Sequence, residues 1–94
     1  MPTELAYIAS KAALHGLTFS LSADLIRRGI TVNTINPGAT DTGYASPDLY
    51  QAVVNVSPQG RWGEPDDAAR LIAWLCTDDA RWVTGQVINS TGGM

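Results

Sequence analysis

In this 94-residue chain, the residue types and spacing of Tyr7 and Lys11 are those of a pair that could take part in a chemical reaction. Four positions apart, they lie one turn apart on the same face of a helix. A phenol ordinarily ionises at about pH 10, and a neighbouring ammonium favours its ionised form. Such a pair can exchange a proton with a carbonyl or alcohol oxygen while a cofactor carries hydride. The spacing alone also occurs by chance, with a solvated helix face as the ordinary alternative.

A long helix, predicted over residues 5–28, carries this pair. Pro2-Thr3-Glu4 can begin it, with Thr3 as the N-cap, and Arg27-Arg28-Gly29 is typical of a helix end. Two apolar stripes recur at helical spacing, and they consist of Leu14, Leu17, Leu21 and Leu25, and of Ile8, Ala12, Phe19 and Ile26. We therefore expect the helix to be buried on two sides, against a sheet and against either another part of the chain or a second subunit.

Two segments rich in β-branched residues, 30–36 and 86–89, predict short strands. Between them, Ser46-Pro47-Asp48 and Glu64-Pro65-Asp66 each predict a helix start. The order helix, strand, helix, helix, strand indicates an α/β fold with two parallel strands joined by a right-handed crossover. Parallel sheets are normally wider than two strands, so we expect the chain to be only marginally stable in isolation.

Composition excludes several classes of function. The net charge is −3 and no basic stripe is present, which argues against nucleic-acid binding. No apolar run reaches the roughly 20 residues of a membrane span, and residues 1–4 do not look like a secretory signal, so a cytoplasmic location is expected. One histidine and one cysteine predict no metal site. Cys76 lies in an apolar stretch and is expected to be a buried thiol.

The surroundings of Tyr7 and Lys11 resemble a known family. The segment AYIASKAAL, residues 6–14, is similar to the active-site helix of short-chain dehydrogenases/reductases, especially the 3-oxoacyl-carrier-protein reductase group. Further family motifs follow in order and spacing, namely Gly16-Leu17, RGITVN at 28–33, Pro37-Gly38, GEPDDAA at 63–69 and Thr84-Gly85-Gln86. The resemblance covers essentially the whole chain. It implies one partial domain, residues 1–94, forming the C-terminal part of a Rossmann-like doubly wound parallel sheet.

The resemblance also implies roles for individual residues. Tyr7 matches the general acid/base, and Lys11 matches the residue that assists it and binds the nicotinamide ribose. Cofactor contacts are implied for Pro37, Gly38, Thr40 and Thr42, with the backbone of Thr40 taking part where the family usually has valine or isoleucine. The implied cofactor is NAD or NADP, and the implied substrate is a small carbonyl compound or alcohol. The intact protein would be a homodimer or homotetramer, and residues 43–56 match the family's variable substrate lid.

Parts of the family pattern have no counterpart among these residues. The glycine-rich phosphate-binding motif is absent, and none of the six residues before Tyr7 is the family's catalytic serine. Ser10 does not replace that serine, and Thr91 stands where the family usually has an aspartate. We interpret Asn33 as a structural hydrogen-bonding residue and His15 as a helix-surface or interface residue.

Three interpretations remain open from the sequence. In the first, the chain is a piece of an NAD(P)-dependent oxidoreductase that lacks the dinucleotide-binding N-terminal half. In the second, it is a non-catalytic remnant or assembly partner that docks on a full-length homologue through the 5–28 helix. In the third, it is an enzyme as it stands, which requires a cofactor site that its residues do not provide.

Overall fold

The computed structural model describes residues 2–94, with side chains from Glu4 onward, so the predicted Thr3 cap lies outside the described side chains. The elements follow the predicted order. They are helix α1 (Pro2–Leu25) with a 3-10 turn (Ile26–Arg28), strand β1 (Thr34–Asn36), helices α2 (Pro47–Val56) and α3 (Pro65–Leu75), a 3-10 turn (Asp78–Ala80) and strand β2 (Val87–Asn89).

Strands β1 and β2 pair in parallel, with Thr34 opposite Val87 and Asn36 opposite Asn89. The predicted α/β class with two parallel strands is thus confirmed. The first strand is shorter than predicted. Val32, two residues before the strand, is bonded to the turn that precedes β2. Its N–H donates to Thr84 Oγ1 at 3.0 Å, and its carbonyl accepts from Gly85 N–H at 2.7 Å.

Asn33 links this segment to the same turn through its side chain. Its amide group donates to the carbonyl of Val83 at 3.1 Å, and its Oδ1 accepts from Gln86 N–H at 3.1 Å. These bonds satisfy both ends of the amide and hold the start of β1 in register with β2. The structure therefore agrees with the structural role expected for Asn33.

Helix α1 contacts the sheet through hydroxyl side chains. Thr18 and Ser22 are buried, whereas Leu14 and Leu17 remain about half exposed, so the prediction of a buried leucine stripe was wrong. Thr18 Oγ1 donates to the carbonyl of Leu14 at 2.7 Å and also bonds the hydroxyl of Thr34 on β1. A sheet of two strands spaced about 4.8 Å apart is no wider than the diameter of one helix, about 10 Å. It therefore covers only one side of α1.

The chain exposes an unusually large surface for its size. Its radius of gyration is 15.7 Å, against about 12 Å for a compact domain of this length. Its accessible surface is 6879 Å², against about 5200 Å² for a folded monomer of this mass. Cys76, expected to be buried, is exposed because it lies at the end of α3 beside the uncovered edge of β1.

The start of α3 is fixed by Asp67, three residues after the N-cap Glu64. The Asp67 carboxylate accepts from Glu64 N–H at 2.7 Å and from Arg61 at 2.8 Å and 3.3 Å. The hydrogen bonds from Arg61 and then from Glu64 N–H lower the pKa of Asp67 from 3.8 to about 2. The predicted helix start is confirmed, and Arg61 attaches the preceding loop to it.

Because the pKa of Asp67 is lowered in the folded chain, the free energy of unfolding changes with pH in the acid range. A carboxyl group whose pKa is lower in the folded chain stabilises the fold above its unfolded pKa, and that stabilisation is lost as pH falls through the folded pKa. We expect the free energy of unfolding to decrease as pH falls from about 3.8 to about 2. Asp67→Asn removes this pH-dependent contribution, which urea unfolding at several pH values would measure.

Asp66→Asn is the matched control for this prediction. Asp66 lies in the same first turn of α3 and carries the same charge, but it makes none of the three hydrogen bonds of Asp67. Asp66→Asn should therefore keep most of the acid dependence. Equal loss of that dependence in both variants would show that general charge on the helix, and not the Arg61–Asp67 contact, is responsible.

Candidate active site

The structure brings Tyr7 and Lys11 together as their spacing predicts. Lys11 Nζ lies 5.4 Å from the centroid of the Tyr7 ring. Tyr7 is 63% exposed, so most of its side chain is open to solvent. The Lys11 ammonium thus lies within cation–π distance of the Tyr7 ring.

A cavity of about 360 Å³ adjoins this pair. Helix α1 supplies one wall and β1 with the loop after it supplies the other, and the lining residues are Tyr7, Lys11, Leu14, His15, Thr34, Ile35, Asn36, Pro37 and Gly38. The carboxyl end of a parallel strand is where ligands bind in open α/β sheets. Four of the six predicted site residues, Tyr7, Lys11, Pro37 and Gly38, therefore share one cavity.

Asn36 is a cavity residue that the sequence analysis missed. Its Oδ1 accepts from Gly38 N–H at 3.3 Å, and its Nδ2 donates to Asn89 Oδ1 at 3.1 Å. The side chain thus holds the loop after β1 and ties it to the end of β2. An asparagine that bonds a backbone N–H two residues later is typical of turns, and its place directly before Pro37-Gly38 is the signal that could have revealed it.

Gly38 lies where a side chain would be strained and would press on Thr91. Its φ is +67°, and a Cβ atom at this position would lie 2.9 Å from Thr91 Cγ2 and 3.2 Å from Thr91 Cβ. The cavity loop therefore packs directly on the C-terminal tail. Thr91, the residue that departs from the family pattern, forms this contact.

Thr40 and Thr42 lie outside the cavity lining. Thr40 forms an isolated parallel bridge with Gly63, and its hydroxyl donates to the carbonyl of Gly38 at 3.4 Å. This bridge holds the loop after β1 against the loop before α3. Thr42 is exposed in the bend that follows. Both threonines therefore follow Gly38 in the same loop and lie outside the lining of the cavity that contains Tyr7.

The predicted lid segment is anchored by Trp62. Ser46 caps α2 by accepting from Leu49 N–H at 3.2 Å, as the sequence predicts. Trp62 is only 3% exposed; its ring stacks on Tyr50 with centroids 5.6 Å apart and meets Tyr44 edge-on at 5.8 Å. Its indole N–H donates to the carbonyl of Tyr50 at 2.9 Å. Helix α2 is therefore fixed to the body of the chain through one aromatic side chain.

Within the part of the chain that the structure describes, no group of three or more potential ligands is arranged to hold a metal ion. Over the same residues, none of the helices combines the length and the apolar character needed to cross a membrane.

The family model described as enoyl-(acyl carrier protein) reductase matches residues 1–94. The chain belongs to the short-chain dehydrogenase/reductase family. Among curated proteins of this family, the uncharacterized oxidoreductase YjdA of Bacillus subtilis is 50% identical over 93 residues, covering 99% of this chain and 37% of the relative. The 3-oxoacyl-[acyl-carrier-protein] reductase FabG of Rickettsia conorii is 43% identical over 96 residues, covering 99% and 40%.

Solved short-chain dehydrogenases/reductases share the fold. The angucycline C-6 ketoreductase LanV with bound NADP has a TM-score of 0.87 at 38% identity, covering 95% of this chain and 36% of LanV. The acetoin dehydrogenase YohF from Salmonella typhimurium has a TM-score of 0.81 at 36% identity, covering 99% and 36%. The chain thus matches the C-terminal part of its relatives and spans less than half of their length.

The contact between Gly38 and Thr91 gives a test of the cavity loop. We expect Gly38→Ala to destabilise the chain by more than the roughly 1–2 kcal/mol that a left-handed conformation costs a residue with a Cβ. The excess arises because the methyl group collides with Thr91. Urea unfolding measures the loss, and Thr91→Ser in the same chain, which removes Cγ2, should restore part of it.

Gly60→Ala is the matched control. Gly60 has a φ of +69°, but a Cβ there meets nothing within 4 Å, so this variant has the backbone strain without the collision. If Gly38→Ala and Gly60→Ala lose the same stability, the Thr91 contact does not constrain the cavity loop.

Proposed function

We propose that this chain forms the proton-transfer part of an NAD(P)-dependent oxidoreductase that interconverts a carbonyl and an alcohol. The observation that carries the proposal is the meeting of Tyr7 and Lys11 on one helix face beside a cavity at the carboxyl end of β1. In this reaction Tyr7 Oη donates a proton to a carbonyl oxygen, or accepts one from an alcohol.

The cavity fits the nicotinamide end of a dinucleotide. Its volume of about 360 Å³ lies within the usual range for ligand pockets, about 300–1,000 Å³. Lys11 would bind the ribose hydroxyls, and Pro37 and Gly38 would lie against the nicotinamide. The loop can approach a ligand closely because Gly38 has no side chain. When bound, the nicotinamide supplies or accepts the hydride, and Lys11 keeps positive charge beside the phenol.

Relatives support carbonyl–alcohol chemistry. LanV is a ketoreductase with bound NADP, YohF is an acetoin dehydrogenase, and FabG is a 3-oxoacyl-[acyl-carrier-protein] reductase. All three names describe the interconversion of a carbonyl and a hydroxyl group. We extend to this chain only that reaction class, with a small molecule as substrate and the cytoplasm as location.

Helix α1 supports the proposal that the whole protein is a homodimer or homotetramer. Large apolar side chains, including Leu5, Ile8 and Phe19, are exposed along it. Several exposed apolar side chains on one helix support an interface there. The same surface is the one that the alternative function would use, in which the chain is a non-catalytic partner that docks on a full-length homologue.

Tyr7→Phe tests the proposed chemistry in a chimera. The chimera replaces the matching C-terminal part of B. subtilis YjdA with this chain, and turnover is followed as reduced nicotinamide consumed with a panel of ketones. We expect Tyr7→Phe to lower kcat by about 10²–10⁴-fold, because the variant keeps the ring but has no proton to donate. The 94-residue chain alone should show no turnover.

Ser10→Ala is the control, since it removes a hydroxyl group from the same helix at a residue outside the cavity lining. It should keep kcat within a few fold of the parent chimera. A Tyr7→Phe chimera that remains as active as the Ser10→Ala chimera would disprove the assignment of Tyr7. A parent chimera that folds but turns over no ketone would favour the non-catalytic alternative.

A further inference from the structure

The carboxyl ends of β1 and β2 meet at a pair of asparagine side chains. Asn36 and Asn89 are register partners in the parallel sheet, so their side chains lie on the same face of it. Thr34, two residues before Asn36, has its side chain on this face too, and its hydroxyl bonds that of Thr18 on α1. The asparagine pair therefore lies on the face of the sheet that α1 contacts, at the end of β1 that adjoins the cavity.

The two asparagines and Gly38 form a chain of hydrogen bonds whose direction is fixed by the groups involved. Gly38 N–H can only donate, and it donates to Asn36 Oδ1 at 3.3 Å. The other end of the Asn36 amide is Nδ2, which also can only donate, and it donates to Asn89 Oδ1 at 3.1 Å. The chain of bonds therefore requires an acceptor oxygen at position 89.

Asn89 reaches the cavity only through Asn36. Its own side chain is not part of the cavity lining, whereas Asn36, Pro37 and Gly38 are. Rotation about the bond to an asparagine amide group has a broad energy minimum, so one bond from Gly38 N–H leaves the Asn36 amide free to turn. The second bond, to Asn89, restricts this rotation and keeps Oδ1 directed at Gly38 N–H.

We propose that Asn89 is a positioning residue for the loop that binds the nicotinamide end of the cofactor, and that it acts through Asn36. The proposal rests on the proposed function, which has Pro37 and Gly38 against the nicotinamide. A loop that is already held in its binding conformation loses less conformational freedom when the ligand binds, so its affinity is higher.

The pairing of the two strands does not depend on the Asn89 side chain. Backbone groups make the bonds at this end of the sheet, and Ser90 N–H donates to the Asn36 carbonyl at 2.8 Å. Removal of the Asn89 amide should therefore weaken cofactor binding without unpairing β1 from β2.

Cofactor binding by the chimera of this chain with B. subtilis YjdA tests this role without relying on turnover. The Kd of NADH or NADPH, whichever the parent binds more tightly, is measured from the change in nicotinamide fluorescence. We expect Asn36→Ala to raise Kd about tenfold and Asn89→Ala to raise it about threefold, as loss of two and of one neutral hydrogen bond would.

The double variant separates a role through Asn36 from any other role of Asn89. Asn36→Ala/Asn89→Ala should bind no more weakly than Asn36→Ala, because the side chain on which Asn89 acts is already absent. Asn89→Asp keeps an acceptor oxygen in the same place, so in high salt, which screens its added charge, it should bind within about twofold of the parent.

Gln59→Ala is the matched control. The Gln59 amide also joins a loop to the C-terminal tail, since its Nε2 donates to the Gly92 carbonyl at 3.2 Å, but it lies outside the lining of the cavity. This variant should leave Kd unchanged. If Asn89→Ala fails to fold, Asn89→Val replaces it, because valine suits a strand and has no acceptor.

Four results would overturn the role of Asn89. They are parent affinity in the folded Asn89→Ala or Asn89→Val chimera, additive losses in the double variant, failure of Asn89→Asp to restore binding, and an equal loss in Gln59→Ala. A parent chimera that folds but binds neither nucleotide would overturn the proposed cofactor site itself, and the role of Asn89 with it.

Discussion

Parallel pairing joins Asn36 at the end of β1 to Asn89 at the end of β2, residues 53 positions apart in the chain. Parallel neighbours need a crossover connection, so the segment between them must leave the sheet and return to the end at which β1 begins. Helices α2 and α3 lie in that crossover, and the Thr40–Gly63 bridge joins its start to the loop between the two helices. The pairing also brings Thr91, which follows β2, against Gly38, which follows β1.

Helix α1 uses one face for two purposes. Tyr7, Lys11, Thr18 and Ser22 are separated by steps of four, seven and four residues, which return to the same side of a helix. The C-terminal half of this face is buried, with Thr18 bonded to Thr34 of β1. The N-terminal half extends past the end of β1 and lines the cavity. The contact that docks the helix therefore also sets the position of Tyr7 and Lys11.

Signals that are local in the sequence predicted the structure well. The order of elements, the caps of α2 and α3, and the approach of Lys11 to Tyr7 all depend on residues within about one turn of each other. Which face of α1 is buried, how long β1 is, and whether Cys76 is covered depend on what lies across the sheet. Periodicity marks Leu14 and Leu17 as suited to burial, but it cannot show that both stay about half exposed among the described residues 2–94. The bond from Asn36 to Gly38 N–H is local, whereas its bond to Asn89 depends on the strand pairing, which only the structure reveals.

The stability of this chain and the surroundings of Tyr7 both depend on surface that residues 2–94 leave exposed. A chain with this much accessible surface gains little free energy from its own packing, so any partner that binds only the folded form adds directly to its stability. Tyr7 is 63% exposed, and water around it weakens the interaction between an ammonium and a phenol. A surface that covers the Tyr7–Lys11 cavity would therefore stabilise the folded chain and exclude water from this pair through the same contact.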